Sequence, residues 1–192
     1  MAEEMKALVS RLAEYLKMSE QQLWCFHKYE SQVEGWFKGE MLCFLEQEKL
    51  ASRLPDFERE KLVHVGDKRM NVDVVLQLDK SGSTPLSWVE LKHWHIGTQN
   101  NTYYGSDWYL KTANHSSCVK REVEKLLKIP ENGDKFMLVL LTKNPGSEEW
   151  NSGVKEFNTK FSPLFVRSLT DPSDYPDFFF LGLLHVPEEG QH

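Results

Sequence analysis

MNVDVVLQL, residues 70–78, is the most strand-like stretch of the sequence. Its apolar residues recur with a period of two, which predicts a β-strand. The even-numbered residues of this stretch would lie on one face, and the odd-numbered residues 71–77 would lie on the other. Asp73 interrupts the run of valines, so the centre of the predicted strand carries an acidic residue.

Two further strands are predicted beside this one, and two more are predicted later in the chain. Residues 61–65 precede it across a turn at 66–68, and residues 86–94 follow it after a loop rich in Ser, Gly and Pro. Residues 136–141 and 178–186 are apolar runs of strand length, which is typical of buried strands.

Helical periodicity occurs before and between these strands. Ser19 with Gln22, and Ser31 with Glu34, have the spacing of capping boxes, which favours helix starts at both serines. The predicted helices cover residues 3–17, a short segment after Ser19, residues 31–50, a segment that starts at Ser116 or Ser117 and ends at Leu127, and residues 147–157.

The predicted order of elements is α-α-α-β-β-β-α-β-α-β. Helices that alternate with a mixed sheet indicate an α/β fold. A chain of 192 residues is long enough for one domain with a proper core and short for two. We divide this domain into an N-terminal helical segment (1–30), a core (31–142) and a C-terminal α-β extension (143–192). Residues 95–115 lack a clear period and are expected to form a long loop, either without regular structure or with a short helix in it.

The composition limits the class of protein. Three cysteines are an odd number at wide spacing, which argues against a disulfide scaffold and favours a cytoplasmic environment. The longest apolar run, residues 178–184, is too short for a membrane helix, so no membrane partner is expected. The net charge is −6, so any phosphate-binding surface must be local, or supplied in part by a second copy or a partner protein.

Glu40 is an acidic residue in an unexpected position. On a helical wheel, five residues of low polarity lie within about 60° of it: Val33, Trp36, Phe37, Cys43 and Phe44. A carboxylate in the middle of such a face is costly unless it is compensated. Either Glu40 pairs with a buried basic residue, or it lies at an edge of the buried face, or it belongs to a site that needs its charge.

The predicted strands supply the other members of such a site. Glu90 and Lys92 are two residues apart in a strand, so they project from the same face. If the neighbouring strand carries Asp73, two carboxylates could bind one ion, and Mg²⁺ is normally held by one or two carboxylates with water and phosphate. Lys92 would then neutralise charge in the transition state of phosphodiester hydrolysis. The alternative is that these residues are polar groups on a solvated face.

Three short motifs resemble the PD-(D/E)xK nuclease superfamily, which has the restriction-endonuclease-like fold. They are WFKGE at residues 36–40, NVDVV at 71–75 and VELK at 89–92. The resemblance covers about residues 33–127 and implies an α-β-β-β-α-β core with a mixed central sheet. The chain departs from the pattern at Val72, where the family name expects proline.

The resemblance implies a role for each matching position. Asp73, Glu90 and the backbone carbonyl of Leu91 would be ligands of Mg²⁺, with Mn²⁺ as a substitute. Lys92 would be the catalytic lysine, and Glu40 would be the helical acidic residue. The implied activity is metal-dependent hydrolysis of a nucleic acid, DNA before RNA, by in-line attack of water.

Other residues are candidates for nucleic-acid contacts. Trp94, Tyr103 and Tyr104 lie among polar residues, and such aromatic rings stack on unpaired bases. Lys120 and Arg121 begin a predicted helix near the site and could reach phosphates. The alternative interpretation is that the aromatic residues pack a long loop onto the fold and that the two basic residues are simply solvated.

Two rival functions remain open at this stage. The chain could be a catalytically silent nucleic-acid- or protein-binding module of the same fold, an alternative that the net charge of −6 favours. It could also hydrolyse another phosphate ester, because function is determined by the site and not by the fold.

Overall fold

The computed structural model describes residues 2–29, 31, 33–82, 85–94, 97–99, 102–104, 119–142, 165–170 and 179–186. The helices are α1 (Ala2–Lys17), α2 (Glu20–Lys28), α3 (Glu34–Leu50) and α4 (Val119–Leu127). The strands are β1 (Asp56–Val65), β2 (Lys68–Gln77), β3 (Leu86–Trp94), β4 (Gly97–Gln99), β5 (Thr102–Tyr104), β6 (Gly133–Leu141), β7 (Phe165–Ser168) and β8 (Phe180–Val186).

Six of these strands form one mixed sheet, in the order β1-β2-β3-β6-β8-β7. Strands β1, β2 and β3 are antiparallel neighbours, whereas β3 and β6 are parallel. A parallel pair needs a long crossover connection, and α4 lies between β3 and β6 in the chain. The predicted α/β class, with helices that flank a mixed sheet, is therefore confirmed.

Each face of the sheet is covered by helices. Helices α1 and α3 contribute Leu12, Phe37 and Met41 to a first core, which includes Leu91 of β3. Helix α4 lies on the other face and contributes to a second core with residues such as Trp88 and Val139. The two faces of β3 thus pack against different helices, with Leu91 on the α1–α3 side and Trp88 on the α4 side.

Most predicted elements agree with the structure, and their ends differ in informative ways. Strand β3 has the predicted bounds, and β1 is five residues longer than predicted. Helix α3 begins at Glu34 with Val33 at its N-cap, so Ser31 does not cap it. Ser19 does cap α2 by position, but its side chain makes no capping hydrogen bond.

Other predicted segments have a different secondary structure, or lie outside the described residues. The predicted helix at 147–157 lies outside the described residues. The predicted loop at 95–115 contains the short antiparallel pair β4–β5. Strand β7 is a four-residue edge strand that the sequence analysis did not predict. A strand this short carries too few alternating residues to stand out from a loop.

The buried face of α3 is rotated relative to the prediction. Its buried residues are Phe37, Met41, Phe44, Leu45 and Glu48. At 100° per residue, this stripe is centred about 80° away from Glu40. Glu40 is only half-buried and lies at an edge of the face, which is one of the alternatives raised by the sequence.

Glu48 is the acidic residue that occupies the centre of that face. It is 2% exposed, and it forms ion pairs with Arg11 at 2.7 Å and with Arg53 at 2.6 Å. Burial opposes the charge of Glu48, but the two guanidinium groups outweigh burial and lower the pKa of this carboxyl overall. The pairs tie α1 to α3, so Glu48 has a structural explanation.

The alternation of β2 is not continuous, and this corrects the prediction for residues 70–78. Val72 packs in the core on the α4 side, whereas Val74 packs in the core on the α1–α3 side. The pairing of β1 with β2 skips Glu60 opposite Asp73, and Glu60 has a φ of 49°. The strand therefore changes face at Asp73, because the backbone is distorted at that level in both strands.

Candidate functional site

Strands β2 and β3 separate at Asp73. Their pairing covers three positions and ends with Val74 opposite Val89. The carboxylate of Asp73 accepts a hydrogen bond at 2.9 Å from the backbone N–H of Leu91, one residue beyond the register position opposite Asp73. The side chain of Asp73 thus pairs with a backbone N–H of β3 beyond the last residue pair of the ladder. This hydrogen bond holds the Asp73 side chain where the two strands separate.

The backbone carbonyl group of Leu91 lies at the same separation of β2 and β3. In an antiparallel ladder, one residue exchanges both of its hydrogen bonds with the same neighbouring strand, so its N–H and C=O point to the same edge. Because the N–H of Leu91 points toward Asp73, its carbonyl oxygen is directed toward β2 as well.

Glu90 is the buried carboxylate of the site. It is 2% exposed, and its Oε1 lies 2.6 Å from Nζ of Lys125 on α4. Burial raises the pKa of Glu90 to about 8, with a further contribution from the negative charge of Asp73. Lys125 opposes this shift but does not cancel it. The negative charge of Asp73 thus acts on a buried carboxylate of the neighbouring strand.

Lysine residues from both helical layers contact these carboxylates. On α3, Nζ of Lys38 lies 2.9 Å from Oδ1 of Asp73 and 3.4 Å from Glu34. Burial lowers the pKa of Lys38, but its contacts with Asp73 and Glu34 raise it overall. On α4, Lys125 lies 3.4 Å from Glu122 in addition to its contact with Glu90.

Lys92 is buried and forms an ion pair with Glu34, with 3.1 Å between Nζ and Oε2. Strand alternation puts Lys92 on the α4 face of β3, yet Glu34 belongs to α3 on the other face. A long lysine side chain can reach across the strand here because β2 no longer pairs with β3 beyond Val89. The separation of the strands thus makes one site from residues on both faces of the sheet.

Glu40 has a different partner. Its Oε2 accepts a hydrogen bond at 2.8 Å from the hydroxyl of Tyr15 on α1. Burial and the charge of Glu40 raise the pKa of Tyr15 to about 12. Among the described residues, the acidic side chain of α3 that contacts Lys92 is Glu34, one and two-thirds turns before Glu40. The catalytic role predicted for Glu40 stays a prediction.

Asp73, Glu90, Leu91 and Lys92 lie around the separation of β2 and β3. Ion pairs connect them to four charged residues that the sequence analysis did not select: Glu34, Lys38, Glu122 and Lys125. The signal for these four was present. Glu34 and Lys38 are four residues apart and Glu122 and Lys125 are three apart, so each pair shares one helix face. Such pairs are common on solvated helices, which is why they did not stand out.

The candidate nucleic-acid contacts lie in different environments. Trp94 is 1% exposed and packs in the core beneath α4. Arg121 is exposed on the first turn of α4. The side chains of Tyr103, Tyr104 and Lys120 lie outside the described part of the structure, so their predicted contacts stay predictions.

The donor set of the site fits a hard divalent cation in part. Two carboxylates and a backbone carbonyl are oxygen donors, which Mg²⁺ and Mn²⁺ prefer. The residues that the structure describes contain no group of three His, Cys, Asp or Glu side chains close enough to share one ion. Water and a substrate phosphate would therefore have to complete the coordination.

Comparisons with protein-family models, with curated proteins and with solved structures found no match to this chain. Among the helices described, none combines the length and the apolar character that a membrane span requires.

Proposed function

We propose that this protein is a divalent-metal-dependent nuclease, with DNA as its substrate and Mg²⁺ or Mn²⁺ as its cofactor. The observation that carries the proposal is the pair Asp73 and Glu90, whose carboxylates interact at the separation of β2 and β3. Lys92 also lies where β2 and β3 separate, two residues after Glu90 in β3. The order α3-β1-β2-β3-α4-β6, in which the short pair β4–β5 is inserted before α4 and β6 is parallel to β3, also supports the restriction-endonuclease-like fold.

In this proposal each residue has a separate task. Asp73, Glu90 and the carbonyl of Leu91 hold the cation, which when bound polarises the attacking water and the scissile phosphate. Lys92 offsets the negative charge that develops on the phosphate oxygens. Glu34 fixes the ammonium group of Lys92 through their ion pair. The buried position of Lys92 strengthens its electrostatic effect, because little water screens it.

Three exposed cations on β2 and α4, the elements that carry Asp73 and Lys125, support a polyanionic substrate. Lys68, Arg69 and Arg121 are exposed, and none of them has an ion-pair partner in the described part of the chain. Lys68 and Arg69 begin β2, on the hairpin that continues beyond the pairing with β3. Arg69 is four residues from Asp73, a distance of about 13 Å along an extended strand. This is comparable to about four steps along a nucleic-acid strand.

The first test is cleavage of plasmid and single-stranded DNA by the full chain. We expect cleavage with Mg²⁺ or Mn²⁺, none after chelation, and restoration when the ion is returned. Asp73→Asn should lose this activity, because it removes one charged ligand. Cleavage that persists in the chelator, or that is unchanged in Asp73→Asn, would contradict the proposed site.

The second test concerns the substrate surface. We expect the double variant Lys68→Ala, Arg69→Ala to bind DNA more weakly, to a similar extent for every sequence. The slope of log affinity against log salt concentration should fall by about two for double-stranded DNA, because two phosphate contacts are lost. Fluorescence anisotropy over a range of salt concentrations would measure both quantities.

Lys80→Ala is the matched control for that experiment. Lys80 is also an exposed lysine, but it lies after the other end of β2. If this control reduces affinity and the salt slope as much as the double variant does, the surface around β2 and α4 is not the binding surface.

The ion pairs of the site favour one alternative, a catalytically silent binding module. Asp73, Glu90 and Glu34 each already contact a lysine. A network that is neutralised by its own lysines can be a structural feature without any cation. Tight nucleic-acid or protein binding, with no cleavage under any divalent ion, would support this alternative.

A further inference from the structure

Two lysines of the site share an arrangement. Lys125 lies 2.6 Å from Glu90 and 3.4 Å from Glu122, which is three residues earlier on the same helix. Lys38 lies 2.9 Å from Asp73, and Glu34 is 3.4 Å away, four residues earlier on α3. Each candidate ligand carboxylate is thus held by a helical lysine that has a second carboxylate on its own helix.

We propose that Lys125 and Lys38 are exchangeable internal counter-ions of the site. They contact Glu90 and Asp73 when no divalent ion is bound, and they move to Glu122 and Glu34 when one binds. The inference rests on the proposed function, because it takes Asp73 and Glu90 as the ligands. It adds that residues that do not touch the ion set the affinity for it.

The transfer follows from the space available around the carboxylates. A ligand oxygen binds Mg²⁺ at about 2.0–2.1 Å. An ammonium group that stays within 2.6–2.9 Å of the same oxygens would lie close to the ion. Two cations at that distance repel each other strongly in a site with little water. The lysines must therefore leave the ligand oxygens before the ion can bind with full affinity.

Glu122 and Glu34 lower the free-energy cost of moving the two lysines away from the ligand carboxylates. Glu122 is already within ion-pair distance of Lys125, so a small rotation of a flexible lysine stem suffices. The side chains of Lys125 and Glu122 are 24% and 17% exposed, so solvent screens their attraction less than it screens a surface pair. Without Glu122, the ammonium group would have to leave Glu90 with no carboxylate to receive it.

The total charge of the site agrees with this exchange. Four carboxylates (Glu34, Asp73, Glu90 and Glu122) and three ammonium groups (Lys38, Lys92 and Lys125) give a formal charge of −1 when all are ionised. A divalent cation changes the charge to +1. A phosphodiester, with one negative charge, then neutralises the site. The same lysines that oppose ion binding therefore favour ion and phosphate binding together.

The test measures Mn²⁺ binding to the full chain by titration calorimetry, with all variants at the same pH and ionic strength. We expect Lys125→Met to bind Mn²⁺ about fivefold or more tightly than wild type, since the competing ammonium group is gone. Glu122→Gln should bind more weakly than wild type. In the Lys125→Met background, Glu122→Gln should have no further effect. Lys128→Met, an exposed lysine one turn later, is the control and should bind as wild type does.

The outcomes separate this inference from the proposed function. If wild type and all variants fail to bind Mn²⁺, the metal site itself is wrong and the inference falls with it. If wild type binds and Asp73→Asn does not, but Lys125→Met binds no more tightly than wild type, the metal site stands and the exchange is refuted. An equal effect of Glu122→Gln in both backgrounds would also refute it, because Glu122 would then act without Lys125.

A second variant protects the test against misfolding. Thermal unfolding of each variant shows first whether it is folded. If Lys125→Met does not fold, Lys38→Met decides the question, because it removes the corresponding ammonium group from Asp73 at a more exposed position. Tighter Mn²⁺ binding in Lys38→Met supports the exchange, and unchanged or weaker binding overturns it.

Discussion

Lys92→Met should lower the rate constant of metal-dependent DNA cleavage by about 10²–10³-fold, the cost of removing one preorganised charge from an enzyme site. Methionine retains the length and apolar stem of the buried lysine, so the core should be preserved. Mn²⁺ affinity should change much less than cleavage does, because Nζ of Lys92 contacts Glu34 and not one of the proposed ligand carboxylates. Single-turnover cleavage and calorimetry of the same preparation would measure the two quantities separately.

Two glutamates of α3 provide a matched pair for this experiment. Glu34 contacts Lys92 at 3.1 Å, whereas Glu40 contacts the hydroxyl of Tyr15. The contacts favour a larger loss of cleavage in Glu34→Gln than in Glu40→Gln. The reverse order would support the role that the sequence motif implied for Glu40. If Lys92→Met cleaves as fast as wild type, Lys92 has no part in the chemistry.

Strand periodicity was a reliable guide along β3, although it failed along β2. Alternation along β3 correctly located Glu90 and Lys92 in one strand, and the bounds of β3 were as predicted. Burial on both sides constrains such a strand, since a shift by one residue would exchange its two faces. The order of the other elements from α3 to β6 was also predicted, whereas the short pair β4–β5 was not.

The buried face of α3 was predicted less accurately than the position of β3. The motif around Glu40 contains Trp36 and Phe37, so the predicted buried face was centred near Glu40. The buried face is instead centred near Glu48, whose charge is compensated by arginines from α1 and from the segment after α3. A wheel of one helix contains no information about such distant partners. The acidic residue with the strongest burial was therefore overlooked.

The geometry of the site also depends on a feature without a clear sequence signal. The distortion at Glu60 and Asp73 changes the face of β2 and releases β3 from pairing. It allows Lys38 of α3 and Lys125 of α4, on opposite faces of the sheet, to contact the neighbouring carboxylates of Asp73 and Glu90. Regular alternation predicts one site face, and the structure has an opening between two strands instead.

Glu90→Gln should have a large and pH-dependent effect on stability. The pKa of Glu90 is about 8 in the folded protein and near its ordinary value, about 4.5, in the unfolded chain. The folded state therefore binds this proton more tightly. This favours folding below about pH 4.5 and is lost as the pH rises toward 8. Over that interval the wild type should lose roughly 3–5 kcal/mol of unfolding free energy through this one group.

Glutamine resembles the protonated form of Glu90 and cannot ionise. The variant should match the wild type near pH 4.5 and exceed its stability by a few kcal/mol at pH 8.5, as measured by urea unfolding across the pH range. Glu46→Gln, at an exposed position of the same chain, is the control and should follow the wild-type curve.

Divalent ions should reverse the order of stability at high pH. An ion that binds the ionised Glu90 stabilises the folded wild type by mass action, whereas Glu90→Gln lacks that ligand charge. Added Mn²⁺ at pH 8.5 should therefore raise the unfolding free energy of the wild type much more than that of the variant. If Glu90→Gln is instead less stable than the wild type at every pH, the carboxylate is ionised throughout and Lys125 compensates it fully. The cation proposed for this site would then have no unbalanced charge to neutralise at Glu90.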